Sequence, residues 1–158
     1  PGLRDGCRAP IPWSADPLHG WATDPWLPFA PETATRNVTA QRDAPGSILH
    51  WYRHLLGLRR ATPALHAAGL GESEFALLDT GDDVLAWARS DGHETWVSLV
   101  HTGSAFAPTP PAALGAEVVA STDPALVGTV LTAHLAPRVA TLARRGGSMG
   151  SWVAPSQS

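Results

Sequence analysis

The stretch from Arg4 to Trp13, RDGCRAPIPW, restricts the start of this chain to a stiff, extended loop. Its two prolines fix their own φ angles, and each biases the residue before it, Ala9 or Ile11, toward extended geometry. The loop therefore holds Arg8 in one place, near an aromatic residue. A fixed guanidinium beside a flat ring is suited to gripping a polar ligand that itself contains a ring.

Residues 1–46 as a whole show no sustained hydrophobic periodicity. They contain many of the prolines, with tryptophans at positions 13, 21 and 26. A structureless stretch of this length is uncommon in a compact domain unless it is functional or disordered, and its aromatic content argues against disorder. We therefore predict a long, ordered loop that packs on something larger.

The clearest helix is predicted over residues 47–61. Ser47 follows a Pro-Gly pair and is a suitable N-cap, and Pro63 ends the helix because the residue before a proline avoids the α region. Its side chains form an amphipathic stripe of Ile48, Tyr52, Leu55 and Arg59, widened by Leu49, Leu56 and Leu58.

Residues 70–145 are predicted to form a small antiparallel β-sandwich. Short runs of strand-forming residues alternate with turn residues, as is typical of such domains. Asp91-Gly92 lies between two of these runs and predicts a hairpin. The predicted strands are Phe75–Leu78, Val84–Arg89, Trp96–Val100, Glu117–Ala120, Thr129–Leu131 and Val139–Leu142. Residues 107–113, with three prolines, are predicted as a loop, and residues 146–158 as a flexible tail.

The charge and cysteine content exclude several classes of function. The net charge is −3, and all eleven basic residues are arginines that form no basic block, so we expect no nucleic-acid partner. The sequence contains no run of 18 apolar residues, so no membrane span is predicted. Cys7 is the only cysteine, which precludes an intramolecular disulfide and is compatible with a cytoplasmic location.

Several spaced motifs resemble one family of enzymes. RDGCRAPIPW, the PWLP run at residues 25–28, Asn37-Val38 followed by Gln41, and Ser47–Arg60 occur in the order found in α-glucosidases of the α-amylase superfamily, glycoside hydrolase family 13. The resemblance covers residues 1–63 and is only one of pattern beyond about residue 70. It implies that residues 1–65 are the final loop and helix of a (β/α)8 barrel, followed by a C-terminal β-sandwich over residues 70–145. The first residue is Pro1 rather than Met, so we expect an α+β fragment whose N-terminal barrel is missing.

The resemblance also implies an activity and a substrate. Family members cleave short, maltose-like α-glucosides with retention, and transglucosylation is their usual side reaction. The arginine at the position of Arg8 helps to hold the glucose whose bond is cut, and a structural salt bridge within the loop is the alternative role. Arg4, Asp5 and Trp13 are weaker candidates for substrate contact. The family usually has Gly-Phe-Ser where this chain has Gly20-Trp21-Ala22, a difference that affects the outer part of the substrate site.

The catalytic carboxylates of the family have no counterpart in this sequence. A retaining glycosidase needs two carboxyl groups about 5–5.5 Å apart, and in the family both precede the Arg4–Trp13 stretch. The acidic residues Glu72, Glu74, Asp79, Asp82 and Asp83 are predicted to be solvated surface groups. Seven histidines show no metal-binding pattern, so no metal and no cofactor is expected, although His50 and His54 have the spacing of two ligands on one helix face.

Two other functions remain open. Residues 70–145 are compatible with a stand-alone carbohydrate-binding module, which would need exposed aromatic side chains in a row. The exposure of Trp87 in such a row depends on its register relative to Leu85. The chain is also compatible with an inactive, truncated reading frame.

Overall fold

The computed structural model describes residues 7–66 and 74–147. The chain divides between Gly57 and Leu58 into two compact units. The first contains a long loop and most of the helical residues, and the second contains the β-strands. Arg4 and Asp5 lie outside the described residues.

The first helix, α1 (Val38–Asp43), lies in a region that we predicted as loop throughout. It has six residues, which is too short for an amphipathic period to show in the sequence. Asn37 forms its N-cap, with the side-chain Oδ1 accepting a hydrogen bond from the Ala40 amide at 2.9 Å. The prediction of an ordered structure without a helix over residues 1–46 was therefore wrong in this part.

The second helix, α2 (Ile48–Ala61), confirms the predicted one. It begins directly after Ser47, whose Oγ lies 3.4 Å from the His50 amide that it caps. It ends before Thr62 and Pro63, where a short 3-10 turn, Pro63–Leu65, follows. No residue of α2 is fully buried: Ile48, Tyr52 and Leu56 of its apolar stripe are exposed, and its other leucines are half-buried.

A five-stranded antiparallel sheet forms most of the second unit. Its strands are β1 (Glu74–Leu77), β2 (Val84–Ser90), β3 (Glu94–His101), β5 (Glu117–Ser121) and β7 (Ala140–Gly146). They lie side by side in the order β1-β2-β3-β7-β5. A two-stranded ribbon of β4 (Ala107–Pro108) and β6 (His134–Leu135) forms a separate sheet. The antiparallel β-architecture is therefore confirmed, and the second sheet has only two short strands.

Four details of the prediction for this unit were wrong. Thr129–Leu131 is not a strand: it makes a single bridge, Val130 to Glu117, beyond the turn at Gly128. The predicted loop at residues 107–113 begins with β4, and β6 was not predicted at all, because two-residue strands have no readable period. The predicted tail begins at Gly146, which is the last residue of β7, and residues 148–158 lie outside the described part.

One face of the large sheet carries the core of the unit. Val84, Ala86 and Ala88 alternate with outward residues along β2 and are buried, as are Val97 and Leu99 on β3. They pack with Ala113, Ala116 and Leu131 from the chain between the strands and with Leu135 of β6. The sheet therefore has a buried face and an opposite face, to which Leu85 and Trp87 belong together.

The predicted hairpin at Asp91-Gly92 is confirmed. It joins β2 to β3, and Gly92 has a φ of 88°, the left-handed region that favours glycine. The Asp91 Oδ1 accepts hydrogen bonds from the His93 and Glu94 amides, each at 3.0 Å. The bond from Glu94 is the main cause that holds the pKa of Asp91 below its ordinary value.

Candidate functional site

Arg8 lies on the surface at the start of the described part of the loop. Within the described ranges its guanidinium has no hydrogen bond and no ion pair. Nothing in residues 7–66 and 74–147 therefore supports the alternative role as a structural salt bridge. Trp13, the other described candidate, is also exposed.

The backbone around Trp13 is fixed by hydrogen bonds from α1. The Pro12 carbonyl accepts from the Val38 amide at 3.0 Å, and the Trp13 carbonyl accepts from the Thr39 amide and hydroxyl, each at 3.0 Å. We call the stretch from Arg8 to Trp21 the arginine loop. The first turn of α1 therefore satisfies its free amides with carbonyls of this loop. These hydrogen bonds hold the backbone at Pro12 and Trp13, which follow Arg8 in the loop.

Trp21 makes a second hydrogen-bond contact to the same segment. Its indole Nε1 donates to the Ile11 carbonyl at 2.8 Å, and its backbone amide donates to the Leu18 carbonyl at 2.9 Å. A phenylalanine, which the resembled family has at this position, lacks the indole donor. The departure from Gly-Phe-Ser therefore adds a contact ten residues back along the chain.

Asp16 organises the turn that follows Trp13. Its carboxylate accepts hydrogen bonds from the Leu18 amide at 2.9 Å and the Gly20 amide at 3.1 Å, and from the Ser14 hydroxyl. These bonds, that of Ser14 first, hold the pKa of Asp16 below its ordinary value. Gly20 has a φ of 79°, and a Cβ there would lie 2.8 Å from the Trp13 Cβ, so only glycine fits.

His19 is a structural residue of this loop. Its Nδ1 donates to the Ser14 carbonyl at 3.2 Å, and its Nε2 accepts from the Thr33 hydroxyl at 3.1 Å. The ring also meets Phe29 edge-on, with centroids 4.4 Å apart. Both ring nitrogens are therefore engaged, as expected for a histidine that holds a loop together.

Asn37 and Gln41 explain the N-V-x-x-Q motif in physical terms. The Asn37 side chain is 2% exposed, and its amide nitrogen donates to the Thr33 and Ala34 carbonyls at 2.9 and 3.0 Å while its oxygen caps α1. The Gln41 Oε1 accepts from the Leu49 amide at 3.1 Å. The first residue anchors the loop to α1 and the second ties α1 to the start of α2.

The described residues contain no group of three potential metal ligands close together. The Nε2 of His50 donates to the Arg42 carbonyl at 2.9 Å, so this nitrogen is occupied by a hydrogen bond. In this conformation the Nε2 of His50 is therefore not open to a metal ion that His54 could share. Across these same ranges, no helix is long and apolar enough to cross a membrane.

The acidic residues of the second unit are surface groups, as predicted. Glu74, Asp79, Asp82 and Asp83 are all exposed, and Glu72 lies outside the described residues. The aromatic residues do not form a row on the sheet. Phe75 is exposed, Trp87 is half-buried, Trp96 is buried at 3% exposure, and Phe106 lies in a loop between β3 and β4. This arrangement does not favour a stand-alone carbohydrate-binding module.

The arginine loop, α1 and α2 together match a known family. Residues 3–68 match the model of the alpha-amylase catalytic domain. Residues 3–68 are thus similar to the alpha-amylase catalytic domain. The matched segment therefore includes Arg8, all of α2, and the hydrogen bonds that Thr39 and Trp21 make to the loop.

Curated relatives carry the same segment within much longer proteins. The chain is 41% identical over 92 residues to a probable alpha-glucosidase of Rhizobium meliloti, a match that covers 58% of this chain and 16% of that protein. It is 36% identical over 138 residues to a glucan 1,6-alpha-glucosidase of Streptococcus dysgalactiae subsp. equisimilis, which covers 85% of this chain and 24% of the relative. The chain thus spans less than a quarter of the length of these two relatives.

A solved structure shows the same fold. The trehalulose synthase from Pseudomonas mesoacidophila matches 89% of this chain and 26% of its own, with a TM-score of 0.75 and 25% identity. The match extends beyond residue 68, so the β-unit as well as the matched segment has a counterpart in that larger enzyme.

Proposed function

We propose that this chain is the C-terminal part of a retaining α-glucosidase that hydrolyses short, maltose-like α-glucosides. The observation that carries the proposal is the match of residues 3–68 to a catalytic domain, since this segment contains the arginine loop and α2. The names of the two relatives, an alpha-glucosidase and a glucan 1,6-alpha-glucosidase, support the substrate class. In this proposal residues 1–65 complete a (β/α)8 barrel, residues 70–145 form the C-terminal domain, and residues 146–158 form a tail.

The exposed apolar surface of the first unit supports a missing barrel. Ile48, Tyr52 and Leu56 recur every four residues along α2 and are 70%, 63% and 49% exposed. Residues at this spacing share one side of a helix. Further exposed apolar side chains come from the loop: Ile11, Trp13, Leu18, Trp21 and Trp26. Water is a poor partner for so much apolar surface, and a preceding barrel would cover it.

The chemistry is divided between the two parts of the enzyme. A retaining glycosidase forms and then hydrolyses a covalent glucosyl intermediate with two carboxyl groups, and in this proposal both belong to the preceding part. If a sugar hydroxyl replaces the water in the second step, the product is a longer oligosaccharide, which accounts for the proposed transglucosylation. Loops that follow barrel strands lie at the catalytic face, so residues 1–46 would line its rim.

Arg8 is proposed to hold the glucose in this site. A guanidinium presents five donors in a rigid fork and stays charged at any working pH. The described residues give the Arg8 guanidinium no polar partner. Hydrogen bonds to the Trp13 and Ile11 carbonyls hold the backbone that follows it. Trp13, which is exposed and lies five residues after Arg8, is proposed as a weaker contact, together with Arg4 and Asp5.

A chimeric enzyme tests the proposal. The segment of the Streptococcus dysgalactiae glucan 1,6-alpha-glucosidase that matches this chain is exchanged for the 158 residues of this chain; we call the product the chimera. We expect the chimera to hydrolyse p-nitrophenyl α-glucoside and the isolated chain not to do so. Arg8→Ala in the chimera should lower kcat/KM at least tenfold, whereas Arg36→Ala, which removes an exposed arginine from the same loop unit, should leave it unchanged. A folded chimera without activity would contradict the proposal.

A further inference from the structure

Asn37 is the only asparagine of the chain, and it begins the triplet Asn37-Val38-Thr39. An asparagine two residues before a serine or threonine, with any residue but proline between them, is the acceptor pattern for N-linked glycans. Such glycans are bulky and lie on protein surfaces. The chain therefore has one acceptor position for this modification, and that position plays no part in the proposed glucosidase reaction.

The fold removes Asn37 from the surface and engages both polar atoms of its side chain. Asn37 is 2% exposed. Its Nδ2 donates to the Thr33 carbonyl at 2.9 Å and to the Ala34 carbonyl at 3.0 Å, so the two hydrogens of this nitrogen are matched by two acceptors. Its Oδ1 accepts from the Ala40 amide at 2.9 Å. The folded first unit therefore leaves no space at Nδ2 for a sugar.

The threonine of the triplet is engaged as well. The Thr39 hydroxyl and amide both donate to the Trp13 carbonyl at 3.0 Å, and the Val38 amide donates to the Pro12 carbonyl at 3.0 Å. Both residues lie in the first turn of α1. The acceptor pattern consists of an asparagine amide and a hydroxyl, and the folded chain binds both of these groups to backbone carbonyls.

We infer that Asn37 accepts an N-linked glycan only in the unfolded chain, and that the glycan then prevents the first unit from folding. In the transfer, Nδ2 attacks C1 of a lipid-linked oligosaccharide diphosphate. The N–C1 bond forms as the bond from C1 to the diphosphate oxygen breaks, the lipid diphosphate leaves, and Nδ2 loses one proton. The modified nitrogen keeps one hydrogen, so it cannot serve both the Thr33 and the Ala34 carbonyls.

The consequence depends on where the chain is made. In a compartment that performs this transfer, folding and glycosylation compete for the same side chain, and each excludes the other. In a compartment without the transfer, Asn37 is free to cap α1. The inference concerns folding alone, so the activity of the chimera neither supports nor weakens it.

The first test compares acceptors in vitro with one oligosaccharyltransferase and one lipid-linked oligosaccharide. A peptide of residues 31–45 represents the unfolded acceptor, and the native 158-residue chain represents the folded one. We expect the native chain to be modified at least about tenfold more slowly than the peptide, because its acceptor is exposed only when the first unit opens locally. A native chain modified as fast as the peptide overturns the inference.

A matched control moves the triplet to the surface of the same folded chain. Thr39→Val removes the hydroxyl but keeps the Asn37 side chain and its hydrogen bonds. Val127→Asn then places an asparagine two residues before Thr129, in a turn where Val127 is 49% exposed and Gly128 has a φ of 82°. This double variant should be modified at a rate near that of the peptide. A double variant modified as slowly as the native chain overturns the inference, because burial of Asn37 would then not explain the difference.

The second test measures what the glycan does to folding. The chain, fused to a signal sequence, is translated in the presence of microsomes, so that transfer precedes folding. We expect the glycosylated chain to be digested by trypsin at least about tenfold faster than the unglycosylated Thr39→Val variant, because the first unit stays open. The double variant, which carries its glycan at position 127, should resist trypsin as Thr39→Val does. A chain that acquires no glycan during translation, or one that resists trypsin with its glycan attached, overturns the inference.

Discussion

The indole nitrogen of Trp21 donates a hydrogen bond to the carbonyl oxygen of Ile11 at 2.8 Å. This bond crosses the turn organised by Asp16 and closes the arginine loop on itself. It fixes the carbonyl of Ile11, three residues after Arg8. The indole of Trp21 thus holds the loop backbone at Ile11.

Trp21→Phe should destabilise the first unit modestly. The ring is kept but its donor is lost, and a typical hydrogen bond contributes about 0.5–1.5 kcal/mol. Urea unfolding followed by circular dichroism measures the change. Trp26→Phe is the control, because Trp26 is exposed and makes no hydrogen bond in the described ranges. Equal effects of the two substitutions would show that the Ile11 bond contributes nothing.

Asn37→Ala should destabilise the chain more strongly, by about 2–3 kcal/mol, because it removes a helix cap and leaves two carbonyls without their donor in a buried place. Asn37→Asp keeps the oxygen that caps Ala40 but loses the donors to Thr33 and Ala34. Its effect should therefore be intermediate in the same unfolding experiment. If the aspartate variant is as stable as the unaltered chain, the two donor bonds are unimportant.

The hairpin at Asp91 should make stability depend on pH. The folded-state pKa of Asp91 lies below its ordinary value of 3.8, so its contribution is fully present above that value and is lost as the pH falls through the lowered folded-state pKa. Asp91→Asn keeps an acceptor oxygen but does not titrate. Unfolding at several pH values should show a difference between the two proteins that is constant near neutrality and shrinks below about pH 4. A difference that does not change with pH would contradict this assignment.

Gly103→Ala should destabilise the β-unit. A Cβ there would lie 2.7 Å from the Asp83 Oδ2 and 2.7 Å from the His101 Nε2, and relief of such overpacking typically costs about 1–3 kcal/mol. Gly81→Ala meets nothing within 4 Å and should be neutral or slightly stabilising. Adding Asp83→Ala to Gly103→Ala should restore part of the loss in thermal unfolding. A double variant no more stable than Gly103→Ala would exclude Asp83 as the source of the clash.

The sequence predicts those parts of the fold whose signals are local. The stripe of α2 with Ser47 before it and Pro63 after it, and the Asp91-Gly92 turn, identify elements by their own residues. Helix α1 has no readable period, although its Asn37 cap was a signal that could have revealed it. Thr129–Leu131 has strand-forming residues but pairs through one bridge, because pairing is decided by distant neighbours.

The candidate site is predictable only in part for the same reason. The motif around Arg8 places it on an ordered loop, and the structure leaves it exposed. The bond from Trp21 to Ile11 and the bond from Thr39 to Trp13 join residues 10 and 26 positions apart, and no local pattern encodes such pairs. The described residues give the Arg8 guanidinium no ion pair, so its role stays a prediction.

Helix α2 has a consequence for the lifetime of the chain in a cell. A helix of 14 residues is marginal in water when little packs against it, and none of the residues of α2 is fully buried. Arg53, Arg59 and Arg60 lie exposed along it, so brief unwinding offers trypsin-like proteases three cleavage points. The chain by itself is therefore expected to be degraded quickly.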